Sequence, residues 1–484
     1  MRYYFEKFSI KRPYNFSSKK GVWRLFFNKI RGIFGLIPVF FVCFAVPALA
    51  SGGEHSELGN HLPLIAIIPF VGLLLSIAIL PLYKPRWWHH NRNQGLVALG
   101  WSMPILIYFL IFLHEYTPLI HSLEEYIAFI ALLGSLFTIS GGISLTGDLK
   151  ASPKINTLFL AIGAVLANVI GTTGASMILI RPMLQTNKER ERIRHIPLFF
   201  IFIVSNIGGT LTPLGDPPLF LGFLRGVPFF WTLKLFPQWA LMIVMLLAVF
   251  YIYDRSQYKK ESIADIECDN THIEPIKITG RWNFLLLGGV ILSVLFSHYL
   301  GYVREAIMLA LSIISYYITP KEAHKSNDFN FYPIKEVALL FAGIFITMIP
   351  ALLILQARGG GLGINEPWQF FWMTGILSSF LDNAPTYLTF TSLASGVFNL
   401  APDASLLDLI THSPEAELLL KAISLGAVFM GANSYIGNAP NFMVKSISEQ
   451  NDVKMPSFFG YMLYSVVILV PFFIIITLIL QFLM

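Results

Sequence analysis

The stretch that decides the fold covers residues 205–218 and reads SNIGGTLTPLGDPP. It places three glycines, three prolines, an asparagine and a carboxylate inside an apolar run that extends from residue 196 to residue 231. That run is longer than the ~20 residues that cross a bilayer. We interpret it as a membrane-spanning helix that is broken near the midplane, where unwound backbone is tolerated only if protein buries it or it lines a cavity. An ionisable residue at that depth, here Asp216, indicates a functional site.

The composition indicates a membrane protein. The chain has 484 residues, of which 55% are hydrophobic and 13% are charged, and its mean hydropathy is +0.64. A soluble protein would carry about 25% charged residues, so the lipid bilayer is the expected surrounding of most of this chain. The formal net charge of +6 does not indicate nucleic-acid binding, because the basic residues lie in short loops, where they set the topology. Cys43 and Cys268 lack metal-ligand spacing, so neither a structural disulfide nor a cofactor is expected.

The N-terminal residues 1–61 form a separate segment. A basic stretch that ends at Arg31 is followed by an apolar stretch, residues 32–50, that ends in Ala48-Leu49-Ala50. This pattern is typical of a secretory signal, and an uncleaved first transmembrane helix explains it equally well. In both cases the N-terminus faces the cytoplasm, and the distribution of basic loops places the C-terminus outside. We therefore expect a multi-pass protein of the bacterial inner membrane.

Two apolar stretches have both of their ends on one side of the membrane. Residues 155–185, interrupted at residues 168–176 with the tip at 171–174, lie between two basic loops, which are expected to be cytoplasmic. Residues 368–394, interrupted at residues 381–386, precede a segment, residues 397–417, that has four carboxylates and no Lys or Arg. Such a segment is expected outside. Both stretches are predicted to be re-entrant hairpins, and they enter from opposite faces.

A broken helix follows each hairpin, so the chain contains an internal repeat. The broken helices are predicted at residues 196–231 and 418–445, and the second is interrupted at residues 431–441. Asn206 with the sequence GDPP at 215–218 is similar to Asn433 with the sequence GNAP at 437–440. An odd number of spans separates the two units, so the first repeat (62–253) and the second repeat (283–484), joined by a cytoplasmic loop (254–282), are inverted in the membrane.

The predicted fold is an all-α polytopic membrane protein. It is an inverted repeat of about 10–11 transmembrane helices with two re-entrant hairpins and two broken helices. Inverted repeats with paired discontinuous helices are typical of secondary transporters, which bind substrate and ions near the midplane at the repeat interface. The expected partners are therefore the lipid bilayer and small inorganic ions, and the ions would be cargo.

Hairpin tips and unwound helices supply oxygen atoms suited to a hard cation such as Na⁺. The candidate ligands in the two halves are Asn168, Thr172, Thr173, Asn206, Thr210 and Thr212, and Asn383, Thr386, Asn433, Ser434, Asn438 and Asn441. Four residues are candidates for direct contact with Na⁺: two of these asparagines, Asn206 and Asn433, and the carboxylates of Asp216 and Asp382.

Two carboxylates, Asp216 and Asp382, are predicted at midplane depth. Burial favours the protonated form of a carboxylate and a bound cation favours the ionised form, so competition between the two amounts to exchange. The alternative for each is a helix N-cap, and Asp216 before two prolines suits a helix start. Arg181 and Arg225 are expected to extend towards an interface, with pairing to a carboxylate or an anionic substrate as the alternative.

The residues quoted above resemble the ion transporter superfamily. The stretch at 205–218, the sequence LDNAP at 381–385 and residues 431–441 are similar to NhaD-type sodium/proton antiporters and to proteins described as citrate transporters. The resemblance covers roughly residues 60–484. It implies an inverted-repeat fold, a homodimer and elevator-type movement of the hairpin domain. Dicarboxylate carriers of the superfamily have Ser-Asn-Thr at both hairpin tips, which this chain lacks at residues 171–174 and 382–384.

Three functions are weighed from the sequence. The first is a Na⁺/H⁺ antiporter with Asp216 and Asp382 as exchangeable carboxylates. The second is a citrate or carboxylate transporter coupled to Na⁺ or H⁺, which predicts a cationic or N–H-rich anion site. The third is an intramembrane aspartyl protease. Two features argue against it: residue 213 is proline, where such enzymes have glycine, and an inverted repeat has no role in proteolysis.

Overall fold

The structure is a computed structural model, and it describes residues 58–262, 269, 271, 273–401 and 404–482. The predicted signal or first helix lies outside the described residues, as do both cysteines. Within them, the predicted all-α membrane fold is confirmed. Seven helical segments are long and apolar enough to cross a membrane: Leu64–Tyr83, Asn91–Leu113, Thr117–Gly141, Pro153–Thr186, Phe229–Tyr258, Tyr332–Leu362 and Phe458–Gln481. The larger number expected from the sequence also includes the broken helices and several shorter ones.

The main elements in chain order are α1 (Ile68–Tyr83), α2 (Asn91–Ile107), α3 (Thr117–Gly141), β1 (Ser144–Asp148), α4 (Pro153–Thr186), α5 (His195–Ile203), α6 (Pro217–Leu224), α7 (Phe236–Tyr258), β2 (Glu274–Thr279), α8 (Asn283–Leu295), α9 (Val303–Ile318), α10 (Tyr332–Arg358), α11 (Pro367–Phe380), α12 (Asn383–Val397), α13 (Pro414–Met430), α14 (Ala439–Gln450) and α15 (Phe458–Phe482). Short helical turns connect them at Leu58–His61, Leu64–Ile67, Pro85–Trp88, Tyr108–Leu113, Ile207–Leu211, Phe229–Leu235, Ser297–Leu300, Lys321–Ser326, Gly359–Leu362, Leu406–His412 and Gly431–Asn433. Helix α10 packs against α2, α3 and α12, and thereby joins the two halves.

A two-stranded antiparallel sheet corrects two boundaries. Strand β1 pairs with β2, with Ser144 opposite Thr279 and Leu145 opposite Ile278. From the sequence, the span before the first hairpin is predicted at residues 126–145, and residues 254–282 are predicted to be a loop. The helix instead ends at Gly141. The backbone N–H and C=O groups of the strand that follows form hydrogen bonds with β2, because buried backbone polar groups require partners.

The first hairpin is helix α4, which doubles back on itself. The amide nitrogens of Asn156 and Asn187 donate to each other's oxygens over 2.8 and 2.9 Å. In a straight helix these residues would lie roughly 46 Å apart. The reversal occurs at Gly171, whose φ of 76° and ψ of 155° are outside the helical region and suit a residue without a Cβ. The ends of the hairpin therefore lie side by side, with its tip between them in sequence.

The second hairpin consists of α11 and α12 (residues 367–397). The rings of Phe370 and Phe390 are 6.3 Å apart between centroids, although a straight helix would separate their positions by roughly 30 Å. The turn consists of Leu381 and Asp382, both in extended backbone conformations. In the first hairpin the corresponding turn residue is Gly171. Both tips therefore reverse the direction of the chain, but with different residues.

The two breaks have the same backbone geometry. We define the first break as residues 204–216 and the second break as residues 431–438. Thr212 and Ser434 have φ, ψ of −140°, 156° and −141°, 169°. Asp216 and Asn438 have −145°, 144° and −154°, 141°. Each break also brings two glycines, six positions apart, into close contact.

This geometry fixes the correspondence between the repeats. Asp216 corresponds to Asn438, as the sequence predicts, but Asn433 corresponds to Leu211 and not to Asn206. The contacts between breaks and hairpins also correspond in the two repeats. The hydroxyl of Thr212 donates to the carbonyl of Asn168, and the hydroxyl of Ser434 donates to the carbonyl of Ser379, both over 2.5 Å. The similarity of Asn206 and Asn433 in the sequence is therefore wrong as a structural equivalence, because it rests on residue type without the backbone register.

We expect Gly215→Ala to destabilise the protein by about 1–3 kcal/mol. A Cβ at Gly215 would lie 2.1 Å from the carbonyl oxygen of Gly209, and backbone cannot move aside as a flexible side chain can. The measurement is the thermal unfolding midpoint of the purified protein in detergent. The matched control is Gly288→Ala on α8, where no atom lies within 4 Å of the new Cβ. An equal effect of both substitutions would contradict the close approach at the break.

Candidate functional site

The carboxylate of Asp216 is the centre of the site. Its side chain is buried, with 1% of the residue exposed. Oδ1 accepts hydrogen bonds from the hydroxyl of Thr172 at 2.8 Å and from the amide of Asn438 at 2.9 Å. Oδ2 accepts from the amide of Asn383 at 2.5 Å. One carboxylate thus joins both hairpins and both breaks.

These four residues are two symmetric pairs. Asp216 and Asn438 occupy the same position in the two breaks. Thr172 lies four residues after Asn168, whose carbonyl accepts a hydrogen bond from the first break, and Asn383 lies four residues after Ser379, whose carbonyl accepts one from the second break. The site therefore lies on the symmetry axis of the inverted repeat. Its charge is asymmetric, because one member of the central pair is a carboxylate and the other is a neutral amide.

Three helices begin at the site. Asp216 precedes α6, Asn438 precedes α14, and Asn383 is the first residue of α12. Asp216 occupies the N-cap position, yet its side chain makes no capping hydrogen bond and turns to the partners named above. Helix N-termini carry partial positive charge and stabilise a nearby anion. The anion at these three helix starts is the protein's own carboxylate.

Asp382 has a different environment. Its Oδ1 accepts from the backbone N–H of Ala384 at 3.1 Å, which makes it the N-cap of α12. It is half-buried, and its carbonyl accepts from the hydroxyl of Thr386 at 2.9 Å. The capping alternative raised from the sequence thus applies to Asp382 and not to Asp216. A part for Asp382 in ion exchange stays a prediction.

Two further asparagines, Asn206 and Asn441, connect the two breaks near Asp216. Asn206 donates to the side-chain oxygen of Asn441 at 2.7 Å and accepts from Asn438 at 3.2 Å. Asn441 in turn donates to the carbonyls of Gly431 and Ser434 at 2.9 and 2.8 Å. Their polar groups are engaged with each other and with backbone, so these residues hold the breaks together.

The remaining predicted ligands lie around this network. Asn168 accepts from the backbone N–H of Leu211 at 2.7 Å and so fastens the first hairpin to the first break. Thr212 contributes to the same attachment, and Thr173 lies half-buried beside Thr172. Asn433 donates to the hydroxyl of Ser379 at 2.9 Å. The side-chain oxygens of Asn383 and Asn433 are buried and have no hydrogen-bond partner.

Ser379 and Ser205 are functional neighbours that the sequence analysis missed. Ser205 accepts from Asn438 through its carbonyl at 3.2 Å, and its hydroxyl bonds that of Ser176 at 2.7 Å. Ser379 was detectable from the repeat, since it precedes Asn383 by the four positions that separate Asn168 from Thr172. Ser205 is the first residue of the stretch at 205–218 that carries the family resemblance, although it was not among the candidate ligands.

Arg225 corrects one expectation. It does not simply extend to an interface but pairs with Glu125 of α3, with two N–H···O distances of 2.9 Å. Both side chains are about one-fifth exposed. The ion pair connects the end of the first broken helix to a helix outside the site. Arg181 is half-buried, and its Nη1 is buried without a hydrogen-bond partner.

The chemistry available at the site is that of a single buried carboxylate among neutral oxygens. Within the described ranges, no group of three or more His, Cys, Asp and Glu could hold a metal ion. A cation at Asp216 would therefore have hydroxyl, amide and carbonyl oxygens as its other ligands. Such a ligand set suits a monovalent cation that must bind and leave, by analogy with the oxygen ligands of other hard cations.

Comparisons with known proteins agree with a transport function. The model of a family described as "Putative citrate transport" matches residues 59–481. A 46 kDa membrane protein of Mycobacterium leprae is 26% identical over 319 residues, which are 60% of this chain and 68% of that protein. Uncharacterized transporters of Mycobacterium bovis and Mycobacterium tuberculosis are each 23% identical over 324 residues, which are 62% of this chain and 71% of those proteins.

The matched region includes both hairpins and both breaks, and so the whole site around Asp216. The family and the relatives indicate a transport protein and not an enzyme, which removes the protease alternative. With its helical membrane fold, the chain is a multi-pass membrane transporter and belongs to the family described as "Putative citrate transport".

Proposed function

We propose that this transporter exchanges Na⁺ for H⁺ at the carboxylate of Asp216. The observation that carries the proposal is the charge of the site: one buried carboxylate whose hydrogen-bond partners, Thr172, Asn383 and Asn438, are all neutral. A buried charge without a counterion is unfavourable, because burial removes its hydration. Either a proton or a monovalent cation relieves this cost, and the two cannot do so together on one carboxylate.

Oxygen ligands for the cation are at hand. The side-chain oxygens of Asn383 and Asn433 are buried and unpartnered, and buried polar atoms usually have partners. Asn383 already contacts Asp216 through its nitrogen, so rotation of its amide would present an oxygen to the same place. Asn433 lies in the second break, two residues after Gly431, where a Cβ would lie 3.1 Å from Oδ1 of Asn206 and 3.6 Å from Nδ2 of Asn383. These oxygens support a cation more readily than an anion.

The second candidate is coupled transport of citrate or another carboxylate, which the family's description supports. The helix starts of α6, α12 and α14 are the kind of place where transporters bind substrate carboxylates. Here Asp216 itself occupies that position, and its side-chain partners carry no positive charge. An anionic substrate would have to approach a carboxylate, which is electrostatically unfavourable.

The deciding experiment compares the two candidates in one preparation. Purified protein is reconstituted into liposomes that contain a pH-sensitive dye and an imposed pH gradient. We expect external NaCl to dissipate the gradient, whereas the same ionic strength of choline chloride does not. Choline citrate in place of NaCl should have no effect, and labelled citrate should not accumulate. Citrate uptake without Na⁺-dependent proton movement would overturn the proposal in favour of the second candidate.

A further inference from the structure

A cavity on elements remote from the Asp216 network has a distinct composition. It has a volume of about 440 Å³ and lies where α9 ends and α10 begins. Four of its lining residues, Tyr316, His324, Phe329 and Phe331, form a closed circuit of rings. The distances between ring centroids are 5.4 Å for Tyr316–His324 and 4.9 Å for His324–Phe329. They are 5.1 Å for Phe329–Phe331 and 5.4 Å for Phe331–Tyr316. The faces of such rings attract ammonium groups.

The same cavity has one cationic side chain. Lys335 lines it and is exposed, so its ammonium group can meet a phosphate. His324 contributes a neutral ring, because burial lowers the pKa of its imidazole below the ordinary value. Its Nε2 is buried without a hydrogen-bond partner. The cavity thus has a place for an ammonium group beside a place for a phosphate.

An apolar stripe continues from the cavity along α9. Leu309, Ile313 and Tyr316 lie at spacings of four and three residues, so they share one face of the helix. All three are exposed, with 46, 58 and 43% of the residue accessible, while the neighbouring face of the helix, with Met308, Ser312 and Ser315, is buried. In a membrane protein, a row of exposed apolar residues along a helix is a surface that lipid chains can cover. Tyr316 belongs to both the stripe and the ring circuit, so a molecule in the cavity can extend its chains along the helix.

We propose that this cavity binds the headgroup of an aminophospholipid. The ammonium group of the lipid lies in the ring circuit of Tyr316, His324, Phe329 and Phe331, the phosphate lies at Lys335, and the acyl chains follow the stripe on α9. The circuit distinguishes this headgroup from phosphatidylglycerol, which has the phosphate but no ammonium. The proposal is independent of the ion chemistry at Asp216, which uses other helices.

The test is native mass spectrometry of the full chain in detergent, titrated with phosphatidylethanolamine or phosphatidylglycerol. We expect one phosphatidylethanolamine to be retained roughly tenfold more tightly than phosphatidylglycerol, in the range of a desolvated cation–π contact. Phe331→Leu should remove this preference while binding of phosphatidylglycerol persists. Lys335→Ala should weaken binding of both lipids. Phe331→Tyr, which keeps a ring face, should restore the preference and shows that folding is intact.

Lys325→Ala is the matched control, since Lys325 is an exposed lysine in the connection between α9 and α10 that does not line the cavity. It should leave lipid binding unchanged. Equal retention of the two lipids by the unaltered protein would overturn the proposal, as would an unchanged preference in Phe331→Leu. Competition by free phosphoethanolamine as strong as that of the lipid would assign the cavity to a soluble ligand and overturn the lipid assignment.

Discussion

Asp216→Asn is expected to abolish Na⁺/H⁺ exchange. Asparagine has nearly the same shape and can keep hydrogen bonds to Thr172 and Asn438, so the fold should persist. It carries no charge and binds no proton in the relevant range, so neither ion has a counter-charge at the site. Loss of a buried charge partner costs about 3 kcal/mol or more, which corresponds to roughly 100-fold weaker cation binding. The measurement is Na⁺-driven dissipation of the pH gradient in proteoliposomes.

Asp382→Asn is the matched control for that experiment. Asparagine caps a helix about as well as aspartate, so the N-cap of α12 should be kept and exchange should continue. Thermal unfolding of both variants in detergent should remain within a few degrees of the unaltered protein. Exchange that persists in Asp216→Asn would contradict the assignment of the carboxylate. Exchange lost only in Asp382→Asn would place the exchangeable carboxylate at the tip of the second hairpin instead.

Asp254→Asn is expected to destabilise the protein by about 3 kcal/mol, because it removes the nearest counter-charge of the buried Arg190. Asp254 lies at the end of α7 and is completely buried. It accepts from Arg190 at 2.5 Å, bonds His195 at 2.9 Å and accepts from Asn156 at 3.1 Å. Arg190 is only 2% exposed and would keep Glu261, at 3.7 Å, as its ionic partner. The measurement is the thermal unfolding midpoint in detergent.

The position of this cluster explains why the effect should be large. Asn156 and Asn187 are the two ends of the first hairpin, Arg190 and His195 lead into α5, and Asp254 ends α7. The cluster therefore fastens three elements together at one end of the molecule. Lys445→Ala is the matched control, since its pair with Glu449 lies on the surface and such pairs contribute about 0–1 kcal/mol. Equal midpoints for the two variants would contradict the cluster as a fastening point.

The expectations that held depend on patterns with strong physical constraints. Long apolar runs identify membrane helices because the bilayer core does not tolerate unpaired backbone. The cluster of Gly, Pro, Asn and Asp at 205–218 marked a break in the helix, and the structure has non-helical backbone at residues 212–216, between the turn Ile207–Leu211 and α6. The strand pair β1–β2 was missed because its two strands are short and lie over a hundred residues apart, and pairing partners at such a distance leave no local signal.

The roles of the two carboxylates needed the tertiary structure. Both precede a helix, and the sequence allows an N-cap or an ion site for each. Only the packing of the hairpins against the breaks shows that Asp216 turns to Thr172, Asn383 and Asn438 while Asp382 caps its own helix. The pairing of Arg225 with Glu125, a hundred residues earlier, likewise depends on packing and not on local pattern.

By itself, the sequence determined that this protein lies in the membrane and that a helix is broken within the stretch at 205–218, and it predicts that the two halves repeat in opposite orientation. Those features follow from hydropathy, loop charge and backbone-breaking residues, which act over short distances along the chain. The tertiary structure alone decided that the repeats meet at one carboxylate and that Thr172 and Asn383 are its partners from the two hairpins. That meeting depends on hydrogen bonds between elements more than 200 residues apart, such as Asp216 and Asn438.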